Sequence, residues 1–236
     1  MDKVGLDPSD YVGVSFWIIS AAMLAATYFF FVERDRAVGK WKTSLTVAAM
    51  VTGIAALHYF YMRGVWADTG ESPTVFRYVD WLLTVPLQIV EFYLILAAIA
   101  VVGASLFWRL LIASVVMLVA GYIGETNIGN AGLLWGGFII GTAAWVYIIY
   151  EIFAGEASKI NASQGTKASK TAFNAMRWIV TVGWAIYPLG YVLGYAGIMS
   201  GDGTLNLIYN LADFVNKIAF GLVIWAAATS DESRQA

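Results

Sequence analysis

Seven apolar stretches, each about as long as a bilayer-crossing helix, take up most of this chain. They run over residues 11–32, 43–62, 75–100, 104–124, 131–154, 171–195 and 204–229. A backbone in hydrocarbon must satisfy its own hydrogen bonds, so such a chain forms either a helix bundle or a closed barrel. The stretches are continuous rather than alternating, which selects helices. Composition agrees, with 60% of the 236 residues hydrophobic, 13% charged and a mean hydropathy of +0.70. The expectation is an all-α membrane protein, one seven-transmembrane-helix bundle spanning residues 1–236.

Several functions are excluded at this level. The chain has no cysteine, so disulfides and thiolate chemistry are absent. A single histidine, His58, makes a protein-built transition-metal site a poor expectation. A net charge of -2 gives no reason to invoke nucleic acid. The opening residues, Met1 to Asp10, are polar and acidic, unlike the basic start of a signal peptide. The longest connection, Gly155 to Lys170, is rich in Ser, Ala and Lys and is expected to be mobile.

Basic residues set the expected orientation. Ten of them fall on one side: Arg34, Arg36, Lys40, Lys42, Arg109, Lys159, Lys167, Lys170, Arg177 and Arg234. Only Lys3 and Arg63 fall on the other. This bias puts the N-terminus outside and the C-terminus in the cytoplasm.

The remaining two basic residues, Arg77 and Lys217, lie inside apolar stretches. Lys217 is near the middle of the last one, beyond easy reach of either interface, with Asp213 one helical turn before it. An ionisable residue at that depth marks a functional site by default, the alternative being a structural ion pair or a snorkelling lysine. The third stretch carries Asp80, Thr84 and Glu91, at offsets that return to nearly the same helix face. Asp80 and Glu91 are separated by about 16 Å along the axis. Such a stripe points to an ion or proton path rather than to simple helix adhesion.

Depth gives the path a direction. Asp80 and Asp213 approach the Lys217 nitrogen from the outer side. Glu91 stands alone on the inner side, among Val90, Phe92 and Leu94, where apolar surroundings favour its neutral form. A proton passed from Lys217 to Asp80 and replaced from Glu91 moves outward. His58 matches Asp80 in depth and is expected to pair with it. Glu125, after the fourth stretch, reads as a solvated carboxylate, and Glu151 has no assigned role. Tyr59, Phe60 and Tyr61 read as packing or interface residues. Pro86 and Pro188 each remove a hydrogen bond inside a span.

These residues carry a resemblance. The run from Arg77 to Leu87 and the run Asp213-Phe214-Val215-Asn216-Lys217 resemble the microbial (type 1) rhodopsins, and within them the proteorhodopsins of marine bacteria. The resemblance covers essentially the whole chain. It implies all-trans retinal joined to Lys217 as a protonated Schiff base. It implies Asp80 as counterion and proton acceptor, Asp213 as second counterion and Glu91 as cytoplasmic donor. Arg77 would steer the outward path, and His58 would hydrogen-bond the acceptor. Trp81, Met117, Phe138 and Gly141 fall where this family lines its retinal pocket, as do Trp184, Tyr187 and Pro188.

The triplet Asp80, Thr84 and Glu91 is similar to that of the family's outward proton pumps, and unlike those of its sodium and chloride pumps. Gln88 matches the spectral-tuning position, where Gln accompanies blue absorption. The resemblance also implies a multi-pass protein of the bacterial inner membrane, embedded in lipid, moving protons and assembled as a homo-pentamer or hexamer. It implies a transporter, not an enzyme. Two rivals stand beside the pump. One is a photosensory relative signalling through a partner, against which Glu91 counts. The other is a cofactor-free, proton-coupled transporter, which would not colour on addition of retinal.

Overall fold

The computed structural model describes residues 7–198 and 202–230. The helices are α1 (Tyr11–Glu33), α2 (Trp41–Thr69), α3 (Thr74–Ile99), α4 (Ala104–Glu125), α5 (Ala131–Phe153), α6 (Glu156–Gln164), α7 (Lys167–Trp178), α8 (Ile186–Tyr195) and α9 (Asp202–Ser230). A five-residue π-helical segment, Ile179–Gly183, joins α7 towards α8. Seven helical segments are long and apolar enough to cross a membrane, among the described residues. Lys3 and Arg234, which entered the orientation argument, lie outside the described residues.

The helices run alternately up and down. At the end where α1 begins, Trp66 donates to Asp10 at 3.0 Å, Ser72 to Asn206 at 3.3 Å, and Tyr191 to the Leu134 carbonyl at 2.7 Å. We call this the N-terminal face. At the opposite face Trp225 donates to Glu33 at 2.7 Å, and Lys40 to the Ala97 carbonyl at 2.5 Å. With lipid outside, no hydrophobic drive holds apolar helices together, so close packing must. Glycine provides it between α4 and α5: a Cβ on Gly141 would lie 3.0 Å from the Met117 carbonyl, and one on Gly137 would collide with the Ala120 carbonyl.

Two sequence expectations change and one is resolved. Helix α2 continues seven residues beyond the expected end at 62, to Thr69. It stops where Gly70 takes a left-handed conformation, φ 69°, which suits a residue without Cβ. The connection expected to be mobile is mostly helical, containing α6 and the start of α7. It is tied down because the Glu156 amide donates to Glu151 at 2.9 Å and Arg109 bridges Glu151 and Glu156 at 3.0 and 2.6 Å. Ala157 and Asn161 are buried beneath it. Of the alternatives open for Tyr59, Phe60 and Tyr61, Tyr59 takes packing, being fully buried, whereas Phe60 and Tyr61 are exposed.

The sixth span is interrupted on both sides of Trp184. A π-helical turn leaves carbonyls without their usual partners. Side chains from neighbouring helices take them: Trp145 of α5 donates to the Val180 carbonyl at 3.0 Å, and Asn216 of α9 to the Gly183 carbonyl at 3.0 Å. Pro188, which has no N–H, follows one turn later in α8.

Candidate functional site

The spacing that put Asp80, Thr84 and Glu91 on one face of α3 places all three inside the bundle, at most 1% exposed. Helix α9 brings Lys217 and Asp213 to the same level as Asp80. The Lys217 amine is 3% exposed as a residue and lies 2.8 Å from Asp213 Oδ2 and 3.1 Å from Asp80 Oδ2. Burying a cation and two anions is tolerable only if their remaining hydrogen-bonding capacity is met. It is met very unequally.

Asp213 is surrounded by donors. Tyr59 donates to Oδ2 at 2.7 Å and Tyr187 to Oδ1 at 2.5 Å. The Trp81 indole reaches both oxygens, at 3.1 and 3.3 Å. Asp80 has the lysine amine at 3.1 Å and the His58 imidazole, Nδ1 3.4 Å from Oδ1. Neither contact is aligned as a hydrogen bond, and both Asp80 oxygens are buried without one. His58 Nδ1 lies closer to the Ile54 carbonyl, at 3.1 Å. Thr84 turns its hydroxyl back to the Asp80 carbonyl at 3.0 Å, which fixes the helix rather than the carboxylate.

Arg77, 2% exposed, lies towards the N-terminal face. Its guanidinium donates to Asn206 at 2.7 Å, Asn210 at 2.9 Å and the Tyr59 hydroxyl at 3.3 Å. Phe16, Tyr59 and Tyr209 present their rings within 6.0 Å of it. On the other side of the lysine, Glu91 has both oxygens buried and unbonded, with Ser44 of α2 the neighbouring hydroxyl. Phe92, the next residue in the chain, packs its ring edge-on against Phe173 and Phe220.

An apolar cavity reaches the lysine. Trp81, Met117, Phe138, Gly141, Trp184, Tyr187 and Pro188 line it, together with Gln88 and Lys217. The Gln88 side-chain nitrogen is buried with no partner. Glu125 also borders this cavity, within hydrogen-bonding reach of the Tyr78 and Tyr195 hydroxyls. It is therefore not the freely solvated carboxylate that its position after the fourth span suggested. Glu151, given no role, is a structural acceptor for Arg109 and the Glu156 amide.

Sequence reasoning missed Asn206, Asn210, Tyr59 and Ser44. A signal existed for the asparagines: residues 206, 210, 213 and 217 step by four, three and four, one polar stripe along α9. Tyr59 and Ser44 carried no comparable signal, since neither shares a helical period with another residue of the site.

Comparison with known proteins gives consistent results. A family model described as bacteriorhodopsin-like protein matches residues 10–231. The chain is 62% identical to the blue-light absorbing proteorhodopsin of Gamma-proteobacterium Hot 75m4 over 232 residues, covering 97% of this chain and 90% of the relative. With the same coverage it is 61% identical to the green-light absorbing proteorhodopsin of Gamma-proteobacterium EBAC31A08. Among solved structures, the blue light-absorbing proteorhodopsin from Med12 superposes with a TM-score of 0.80 at 58% identity, covering 94% of this chain and 100% of that one.

Proposed function

The chain belongs to the bacteriorhodopsin-like proteins, the microbial rhodopsins, and from that premise we propose that it is a light-driven outward proton pump of the proteorhodopsin kind. One observation carries the reading. A buried lysine amine stands between two carboxylates of which one, Asp213, is saturated with donors and the other, Asp80, has none aligned on it.

The site fits retinal. A buried primary amine at an apolar, aromatic-walled cavity suits an apolar aldehyde, and the unpartnered Gln88 amide faces the same space. Lys217 would hold the group covalently, as a protonated Schiff base. When bound, retinal supplies light absorption and the change of shape that moves the charged nitrogen.

The chain's own residues give that movement a direction. Asp213 keeps its negative charge, because Tyr59, Tyr187 and Trp81 already stabilise it. Asp80 is the acceptor in this reading, because it lies 3.1 Å from the amine and carries none of the hydroxyl and indole donors that hold Asp213. Glu91, an isolated carboxyl eleven residues further along α3, returns a proton to the nitrogen from the other side. Arg77 directs the proton beyond Asp80 towards the N-terminal face. The basic residues of the opposite face support placing the N-terminal face outside and the C-terminus in the cytoplasm, in the inner membrane of a bacterium. Gln88 supports blue absorption, and the family resemblance supports a ring of five or six copies. The whole chain acts as one domain.

External pH during illumination of cells given retinal tests this. Acidification abolished by a protonophore is expected. Coloured cells with no light-driven pH change would overturn the pump and leave a photosensor.

A further inference from the structure

Arg77 is the only buried arginine among the described residues at this level of the bundle, and its partners are unusual for a buried cation. No carboxylate lies within ion-pair distance of its nitrogens among the described residues. Asp213, the nearer carboxylate on α9, is reached only through Tyr59, whose hydroxyl is 3.3 Å from the guanidinium and 2.7 Å from Asp213 Oδ2. The guanidinium is held instead by two amide oxygens of α9, those of Asn206 and Asn210.

Both asparagines are themselves anchored. The Asn210 side-chain nitrogen donates to Ser15 of α1 at 2.9 Å, and the Asn206 oxygen also accepts from Ser72, before α3, at 3.3 Å. Both are at most 1% exposed. An amide oxygen offers a dipole where a carboxylate would offer a full charge, so this arrangement holds the cation without neutralising it. Asn210 precedes Asp213 by three residues, about 4.5 Å along the helix axis, so the anchoring point is close to the carboxylates without being one of them.

We propose that Asn206 and Asn210 are positioning residues that hold the Arg77 charge one step away from Asp80 and Asp213, and thereby set how readily Asp80 takes a proton. The inference rests on the reading of Asp80 as acceptor. Besides Arg77, the charged and titratable groups around Asp80 and its partner carboxylate are His58 and Tyr59 of α2, Tyr187 of α8, and Asp213 and Lys217 of α9, while Arg77 itself also faces the Tyr209 ring of α9 and interacts with Glu125 of α4. The asparagines touch none of the Asp80 oxygens. Their shared contact with the site is Arg77, so in this proposal their influence on Asp80 runs through that guanidinium.

That route gives the test. The pigment formed with retinal is titrated, and the pH midpoint of its visible-band shift is measured for the unaltered chain, Asn210→Leu, Asn206→Leu and each of these combined with Arg77→Gln. Freed from its amide oxygens, the guanidinium keeps the Tyr59 hydroxyl that it shares with Asp213, and is drawn along that contact towards the carboxylate. A cation moved closer favours the ionised carboxylates, so the midpoint falls, by about one unit. In the Arg77→Gln background the same asparagine changes leave the midpoint where Arg77→Gln alone puts it. A shift of equal size in both backgrounds, a rise, or no shift in either single variant overturns the proposal. If Asn210→Leu forms no pigment, Asn206→Leu and Asn206→Ala decide by the same comparison. The failure of the underlying reading is distinguishable: the unaltered chain would then form no pigment, or its band would not titrate.

Discussion

The two halves of the bundle, divided at the level of Lys217, are built on opposite principles. Towards the N-terminal face, polar side chains from five helical segments interlock: Arg77, Tyr59, Asn206, Asn210, Asp213, Trp81, Tyr187 and Ser15 are joined by hydrogen bonds. Towards the opposite face, Glu91 is almost alone, its oxygens buried and unbonded and its chain neighbours Val90 and Phe92 apolar. A dense network fixes charge where it is needed. A dry, sparse half suits a group that holds a proton until the site calls for it, because burial penalises the anion. The difference teaches that direction in such a protein lies in unequal solvation rather than in the count of ionisable groups.

That contrast can be broken at its dividing line. Lys217→Ala removes the amine, and the expected outcome is complete loss of the visible band on addition of retinal, read by absorption spectroscopy. Retained colour would mean that the lysine does not hold the chromophore. The next largest effect tests the dry half. Glu91→Gln keeps the shape but supplies no proton, and recovery of the photocycle is expected to slow about 10²-fold or more, measured by flash photolysis. An unchanged recovery time would remove Glu91 from the mechanism.

The wet half is sharpened by Tyr59→Phe. It deletes one hydroxyl that donates to Asp213 and accepts from Arg77, and is expected to cost about 1–3 kcal/mol, visible as a lower Tm of the pigment. An unchanged Tm would mean that the network tolerates the gap. The smallest effect is expected at the rim. His58 is nearer the Ile54 carbonyl than Asp80, so His58→Asn should move the pH midpoint of the visible band measurably, though by less than about one unit. An unmoved midpoint would dissolve the pairing.

The dry half was the more legible one in the sequence. A carboxyl flanked by Val90 and Phe92 announces a largely apolar environment, although the Ser44 hydroxyl beside it comes from another helix. The wet half depends on contacts far apart in the chain. Tyr59 meets Asp213 across 154 positions, and neither residue type nor local spacing points to the other. The asparagine stripe of α9 was readable from its period, yet its partner Arg77 lies on α3. Fold class followed directly from seven apolar runs. The helical connection after α5 did not, since it depends on Arg109 of α4 bridging two glutamates some forty positions on.

One further consequence belongs to the break in the sixth span. Its two freed carbonyls are held by Trp145 and Asn216, so this joint is stiffened from outside, by two other helices. Asn216 is also the immediate chain neighbour of Lys217. The joint and the reactive amine thus share one backbone unit, as a trigger and a spring share a pin. The lysine and the joint are linked through one side chain, the Asn216 amide that donates to the Gly183 carbonyl.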